Sequence, residues 1–359
     1  MTIPDKPGAN NALNIAKIAK SLAVIIPLAV AANFIYALLA SKGQFFRNLG
    51  EFNFWYALLA LAITFIPWLA HSTRIFLWGK SLGKKLSPAQ AFRAVLANDV
   101  GGAVVPIAAG GGYAKLGFLV SYGFSAGEAT LVALMGTLED ALFFILALPL
   151  AISFSKSWNN VYLVQLSSQI NSTWPIFIAL LAISIGLYFL AKWLKNLYLT
   201  NNAQNVDKKS VKLLTAISQY KKDIKAAFLF MIKSKKRIFG ANVLFSGAGW
   251  IARYSIVTLL ITGFGYKIDP ILAFVLQWLV FSAASLIPTP GGIVAIEFSF
   301  AIMFKSFVPS SVMPVLVGLW RFLTFYLIVI AGALGLAIAG TGHNESVQLQ
   351  NGGAETKCI

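Results

Sequence analysis

The sequence predicts an all-α polytopic membrane protein, with about six full transmembrane helices plus two broken re-entrant hairpins in an inverted repeat. Three observations carry that reading. The 359 residues are 58% hydrophobic and only 11% charged, with uncharged runs long enough for the roughly 20 residues that a helix needs to cross a bilayer. Two apolar regions, 88–122 and 270–307, are interrupted by prolines and glycines. The third observation is that these two regions correspond when the chain is shifted by 182 residues.

Taken in order, residues 21–40 form a first span behind Lys17 and Lys20. The run is long for a signal sequence and has no small-x-small cleavage site, so it reads as an anchor. Residues 54–78 form a second span, long enough to emerge beyond Ala70, with His71 as an interfacial packing residue. Lys80, Lys84, Lys85 and Arg93 follow and place that side in the cytoplasm, together with the N-terminus. The segment 88–122 is broken by Gly101-Gly102, Pro106 and Gly110-Gly111-Gly112. Each half is short for a crossing, which predicts a re-entrant hairpin. Ser125-Ala-Gly-Glu128 has capping-box spacing and opens a helix to about Phe154.

Residues 175–194 return inward. The interval 195–237 holds eleven Lys/Arg against Asp207 and Asp223 and reads as a basic cytoplasmic linker, either a solvated topogenic segment or one lying on anionic headgroups. Residues 238–262 cross outward and carry Arg253; 270–307 is the second hairpin; 311–340 cross back and carry Arg321; 341–359 is a polar tail. The chain divides into a first half (1–194), the linker (195–237), a second half (238–340) and the tail, with both termini in the cytoplasm. The net charge of +17 follows from positive loops and does not point to nucleic acid. One cysteine, Cys358, and two histidines, His71 and His343, exclude a disulfide framework and disfavour a metal site. No cofactor is expected.

The 182-residue shift aligns 68–145 with 250–327 without a gap. Trp68 falls on Trp250, Gly83 on Gly265, Lys85 on Lys267, Pro88 on Pro270, Pro106 on Pro288, Gly110 on Gly292 and Gly136 on Gly318. Three crossings separate the copies, so the second is upside down, as in secondary transporters whose substrate sits where the repeats meet. The most conspicuous break is Pro288-Thr-Pro290-Gly291-Gly292 with Glu297 after it; irregular backbone at that depth survives only where protein or a wet cavity satisfies it. The same shift sets Lys115 on Glu297 and Glu139 on Arg321, a quartet expected to form one or two central ion pairs. Asp140, about 100° round the helix from Glu139, is expected not to share its partner. Ionisable groups at such depth cost at least about 2.5–3.5 kcal/mol on insertion scales and are rarely incidental.

Pro288-Thr-Pro-Gly-Gly-Ile…Glu297, the downstream Arg321, and a Gly-rich break followed by Lys115 and Asp140 resemble the flippase-like family formed by the membrane region of lysylphosphatidylglycerol synthases, here as a stand-alone membrane domain from about residue 15 to 340. Family members usually carry Gly-Glu-x-x-Arg where this chain has Gly111-Gly112-Tyr-Ala-Lys115, and Glu-Arg where it has Gly136-Thr137. The resemblance implies movement of a charged-headgroup lipid, such as an aminoacyl-phospholipid or a polyprenyl phosphate intermediate, across the cytoplasmic membrane. The synthase's soluble transferase domain has no counterpart here.

A translocase rather than an enzyme is the expected function, with Lys115 and Arg321 receiving phosphate and Glu297 or Glu139 a cationic headgroup. No P-loop spacing is present. The alternatives are an intramembrane lipid-modifying transferase using Asp140, Glu139 and His71 as acid/base groups, or a non-catalytic partner of a lipid synthase or glycosyltransferase acting through the basic linker. A homo-oligomer is compatible with any of these.

Overall fold

A computed structural model describes residues 43–104, 110–155, 235–285 and 293–332, with Ile35, Leu38, Leu39, Leu229, Leu334 and Gly335 besides. The expected first span, the span at 175–194, most of the basic linker, both hairpin tips and the polar tail lie outside the described residues. So do Pro288, Pro290, Gly291 and Gly292 of the second break.

The described residues form nine helices: α1 (Phe45–Gly50), α2 (Phe54–Ser81), α3 (Pro88–Val104), α4 (Gly110–Ser121), α5 (Ala126–Phe154), α6 (Lys236–Gly263), α7 (Pro270–Ser285), α8 (Ile293–Phe304) and α9 (Met313–Arg321). The last runs on through a π turn, Phe322–Tyr326, so that Met313–Gly332 is one apolar stretch. With α2, α5 and α6 it makes four helices long and apolar enough to span a membrane. The shorter helices α3, α4, α7 and α8 pair as α3 with α4 and α7 with α8. At 1.5 Å per residue, the 12 residues of α4 and of α8 rise only about 18 Å, short of the roughly 30 Å hydrocarbon core.

Local chemistry explains where the helices start and stop, and it repeats. The bounds of α2 shifted by 182 are those of α6, and α7 starts 182 residues after α3. Before α3, Ser87 Oγ accepts from the Gln90 N–H while Gln90 Oε1 accepts from the Ser87 N–H; before α7, the equivalent Asp269 accepts from the Ile271 N–H. Pro88 and Pro270 then occupy the first helical position, where the missing N–H costs nothing. The turns that precede these caps need left-handed backbone, supplied by Gly83 (φ 73°) and Gly265 (φ 80°). The aligned Gly and Pro of the sequence repeat are therefore the punctuation of one recurring helix–turn–helix unit. The Ser125–Glu128 capping box opens α5 as its spacing indicated.

The most extensive pairing among the described residues is α2 with α6. The Asn53 N–H at the head of α2 donates to the Gly263 carbonyl at the foot of α6 at 2.8 Å, so these equivalent helices run antiparallel. They touch at their midpoints: a methyl on Gly249 would stand 3.6 Å from the Pro67 Cα and 3.5 Å from the Ala70 Cβ. An apolar core lies at each end of the pair. Phe52 and Ala60 join Ile256 and Leu260 with α7, α8 and α9; Trp68, Ile75 and Trp78 join α3, α4 and α5, with Ile238 and Phe239 from the head of α6. The outward faces are apolar (Trp55, Leu58, Leu69, Leu150, Phe154 and Leu244 are exposed), whereas Arg74, Lys115, Glu139, Asn242, Gln277 and Arg321 are buried. That distribution is the reverse of a water-soluble bundle, and the chain is a multi-pass membrane protein.

Candidate functional site

Polar side chains gather where α2 and α6 cross. Arg74, on the second half of α2, is the centre. Its Nε donates to Glu139 Oε2 at 2.8 Å, its Nη1 to Asp140 Oδ1 at 2.8 Å and its Nη2 to the Gly136 carbonyl at 2.6 Å. Glu139 is fully buried, and its other oxygen accepts from Trp78 Nε1 at 2.6 Å and Asn242 Nδ2 at 3.2 Å. Asp140 also accepts from the Ser246 hydroxyl. The helices α2, α5 and α6 are thus tied together around one guanidinium, all three nitrogens of which donate.

The expectation that Glu139 and Asp140 do not share a partner is corrected here. The angular offset of neighbours on a helix applies to a point charge, whereas the planar fork of Arg74 is wide enough to meet both carboxylates and the carbonyl of the preceding turn. Arg74 itself is not singled out by the sequence, because it lies in the part of α2 expected to emerge from the bilayer, close to Lys80. His71, expected as an interfacial packing residue, lines the cavity described next.

Beside this cluster lies a cavity of about 280 Å³. Its walls come from α2 (Pro67, His71, Arg74), α3 (Asn98, Asp99), α4 (Lys115), α5 (Gly136, Thr137, Asp140) and α6 (Ser246, Trp250, Arg253). Asp99 accepts from Trp68 Nε1 at 3.1 Å and from Asn98 Nδ2 at 3.1 Å. Lys115 reaches the cavity because α3 and α4 approach closely at Gly111, where a Cβ would lie 2.3 Å from the Asn98 carbonyl oxygen; one helical turn later, Lys115 is on the same face. It is 9% exposed, and among the described residues no carboxylate lies within ion-pair distance of it. Arg253 stacks on Trp250 and Phe281, with its guanidinium 5.9 and 5.7 Å from the ring centres. Its buried Nε has no hydrogen-bond partner among the described residues.

The second half holds a separate pair. Arg321 Nε donates to Glu297 Oε1 at 3.3 Å, and the guanidinium lies 4.7 Å from the Phe325 ring centre, inside the π turn. Of the sequence quartet, Glu297 and Arg321 are brought together, Glu139 is taken by Arg74, and Lys115 faces the cavity with Arg253 and Asp140. Asp99, Asn242 and Ser246 are additions that only the structure supplies. Among the described residues no cluster of His, Cys, Asp and Glu has the composition to hold a metal ion.

Residues 24–332 match the family described as the lysylphosphatidylglycerol synthase TM region. The chain belongs to that family. It is also 25% identical over 281 residues to a UPF0104 membrane protein of Archaeoglobus fulgidus, an alignment that covers 75% of this chain and 82% of the archaeal one. The matched family region contains every residue of the Arg74 cluster, the cavity and the Glu297–Arg321 pair, so the polar centre lies within the family's membrane domain itself.

Proposed function

We propose that the chain is a lipid translocase that moves a charged-headgroup lipid, such as an aminoacyl-phospholipid or a polyprenyl phosphate, across the cytoplasmic membrane without modifying it. The observation that supports this most directly is the cavity: a space lined by charges in a protein whose outer faces are apolar, at the crossing of two antiparallel 28-residue helices. Its residues lie close to the midpoints of α2 and α6, the depth at which repeat-built transporters bind substrate. Its size suits a headgroup and not a whole lipid, whose chains would stay in the bilayer.

In this reading a phosphate sits against Lys115 and Arg253, the two cavity cations that no carboxylate among the described residues pairs with. A cationic headgroup substituent faces Asp140. The two copies form an inverted repeat with the α3–α4 and α7–α8 pairs as re-entrant hairpins, and rocking one copy against the other exposes the site to either side in turn. Glu297 and Arg321 hold the second hairpin against α9 as that motion occurs.

The test is leaflet distribution of acyl-labelled lysylphosphatidylglycerol and polyprenyl phosphate analogues in proteoliposomes. The wild type is expected to equilibrate one of them between leaflets, and Lys115→Gln to slow that more than tenfold while eluting as folded protein. Retention of normal movement by Lys115→Gln and Arg253→Gln would remove this site from the reading. A change in the lipid's chemical identity would instead favour a transferase.

A further inference from the structure

The charges of the site balance without a ligand, and that balance bears on how an anion can enter. Around the cavity stand three cations, Arg74, Lys115 and Arg253, and three carboxylates, Asp99, Asp140 and the Arg74-bound Glu139. A phosphodiester brought in from the interface adds a negative charge, and an uncompensated charge at this depth is costly. One carboxylate taking up a proton restores neutrality.

The hydrogen bonds distinguish the three. Glu139 is bound by the Arg74 guanidinium, Trp78 and Asn242, and Asp140 by the same guanidinium and Ser246; protonating either would break its ion pair with the buried Arg74. Asp99 is held by two neutral donors, the Trp68 indole and the Asn98 amide, one to each oxygen. The cations acting on it are Lys115 from α4 and Arg253 from α6, the pair that a phosphate would occupy. The other titratable groups at the cavity are His71 and Arg74 on α2 and Asp140 on α5. On the remaining side of α3, the residues packed from the α9 stretch include Phe325, Val329 and Gly332, which carry no charge.

We propose that Asp99 is the proton carrier of the translocase: an anionic headgroup docking on Lys115 and Arg253 withdraws their charge from Asp99, which takes a proton from the side of lipid entry and yields it on the side of exit. One proton then accompanies each lipid whose headgroup is net anionic, and a transmembrane proton gradient drives the movement. This rests on the translocase reading, and it names the driving force and the residue through which that force acts.

The experiment uses the full chain in proteoliposomes with labelled phosphatidylglycerol, lysylphosphatidylglycerol and polyprenyl phosphate analogues in turn, followed by external quenching of the label, and with a pH-sensitive dye inside. The wild type is expected to move lipid at least fivefold faster when the side of entry is one pH unit more acidic, to lose that acceleration with a protonophore, and to carry about one proton per lipid. In Asp99→Asn the ratio of protons to lipids falls to zero, Asp99→Glu restores it, and Glu51→Gln, away from the cavity, leaves it near one. Equal wild-type rates with and without the gradient would overturn the coupling while leaving the translocase standing. Loss of coupling in His71→Gln and not in Asp99→Asn would overturn the assignment to Asp99. No movement of any of the three lipids by the wild type under any gradient would overturn the translocase reading and this inference with it.

Discussion

The two copies of the repeat share helix bounds at α2 and α6 and helix starts at α3 and α7, and they differ in what they enclose. In the first, α3 brings Asn98 and Asp99, α5 brings Asp140 and α2 brings Arg74 to a polar cavity. At the equivalent positions of the second stand Val280, Phe281, Phe322 and Ile256. There, the space is filled: Tyr254 stacks on Phe281 with ring centres 5.8 Å apart, Phe281 meets Trp320 at 6.0 Å and Trp320 meets Phe300 at 4.4 Å. Caps and turns are alike in kind at both places, so they set the scaffold. A handful of side chains decides whether that scaffold holds a site or a core.

The largest difference between the halves is expected at their arginines. Arg74→Ala strands the fully buried Glu139 beside the partly exposed Asp140, and the loss of a buried carboxylate's partner costs about 3–5 kcal/mol. Arg321→Ala acts on Glu297, whose side chain is 21% exposed, and is expected to cost less. Thermal unfolding in detergent compares the two, and a smaller loss for Arg74→Ala would show that the first cluster is not the stronger brace.

Next comes the aromatic filling. Phe281→Ala removes the ring between Tyr254 and Trp320 and is expected to destabilise by about 3 kcal/mol, in the range for large-to-small core changes. Asp99→Ala, its counterpart, borders a cavity already present and is expected to cost less than half as much. Equal costs would mean that the cavity is structurally as tight as the aromatic core.

Arg253 sharpens the comparison from the other side, since it stands on the second copy yet faces the first copy's cavity. Arg253→Gln is expected to reduce lipid movement about tenfold, a loss of one charged contact worth about 1.4 kcal/mol, with little change in unfolding temperature. An unfolding shift as large as that of Arg74→Ala would make it a structural residue.

The smallest effects should be the most alike. Gly83→Ala and Gly265→Ala each force a side chain into left-handed backbone, at about 1–2 kcal/mol, and at neither position would the added methyl meet another atom within 4 Å. Similar losses in unfolding temperature are expected. A large inequality would break the equivalence of the two turns.

The repeat is legible in the sequence because its signals are local. Gly83 and Gly265, Pro88 and Pro270, and the caps before them mark helix ends through backbone rules that act within a few residues. The intramembrane charges Lys115, Glu139, Arg253 and Arg321 stand out for the same reason, each being a charge in an apolar run. Their partners do not. Asp99 and Asn98 sit in a less apolar helix where one acid draws no attention, Arg74 is hidden by neighbouring lysines, and Asn242 and Ser246 are ordinary polar residues until α6 is laid along α2. Glu139 and Arg321 are equivalent in the repeat, but equivalence in a repeat is not contact.

By itself, then, the sequence determined the class of protein and, among the described residues, where α2, α3, α5 and α7 begin, since burial in lipid forces long apolar helices and the breaks between them need particular residues. Only the tertiary structure decided which charges meet. The antiparallel crossing of α2 and α6 puts Arg74, Asn242 and Ser246 within reach of two neighbouring carboxylates, and it leaves Lys115 and Arg253 facing a cavity. Distances between side chains on different helices depend on packing angle and on close approach at Gly111 and Gly249, and neither quantity is written in any one segment of the chain.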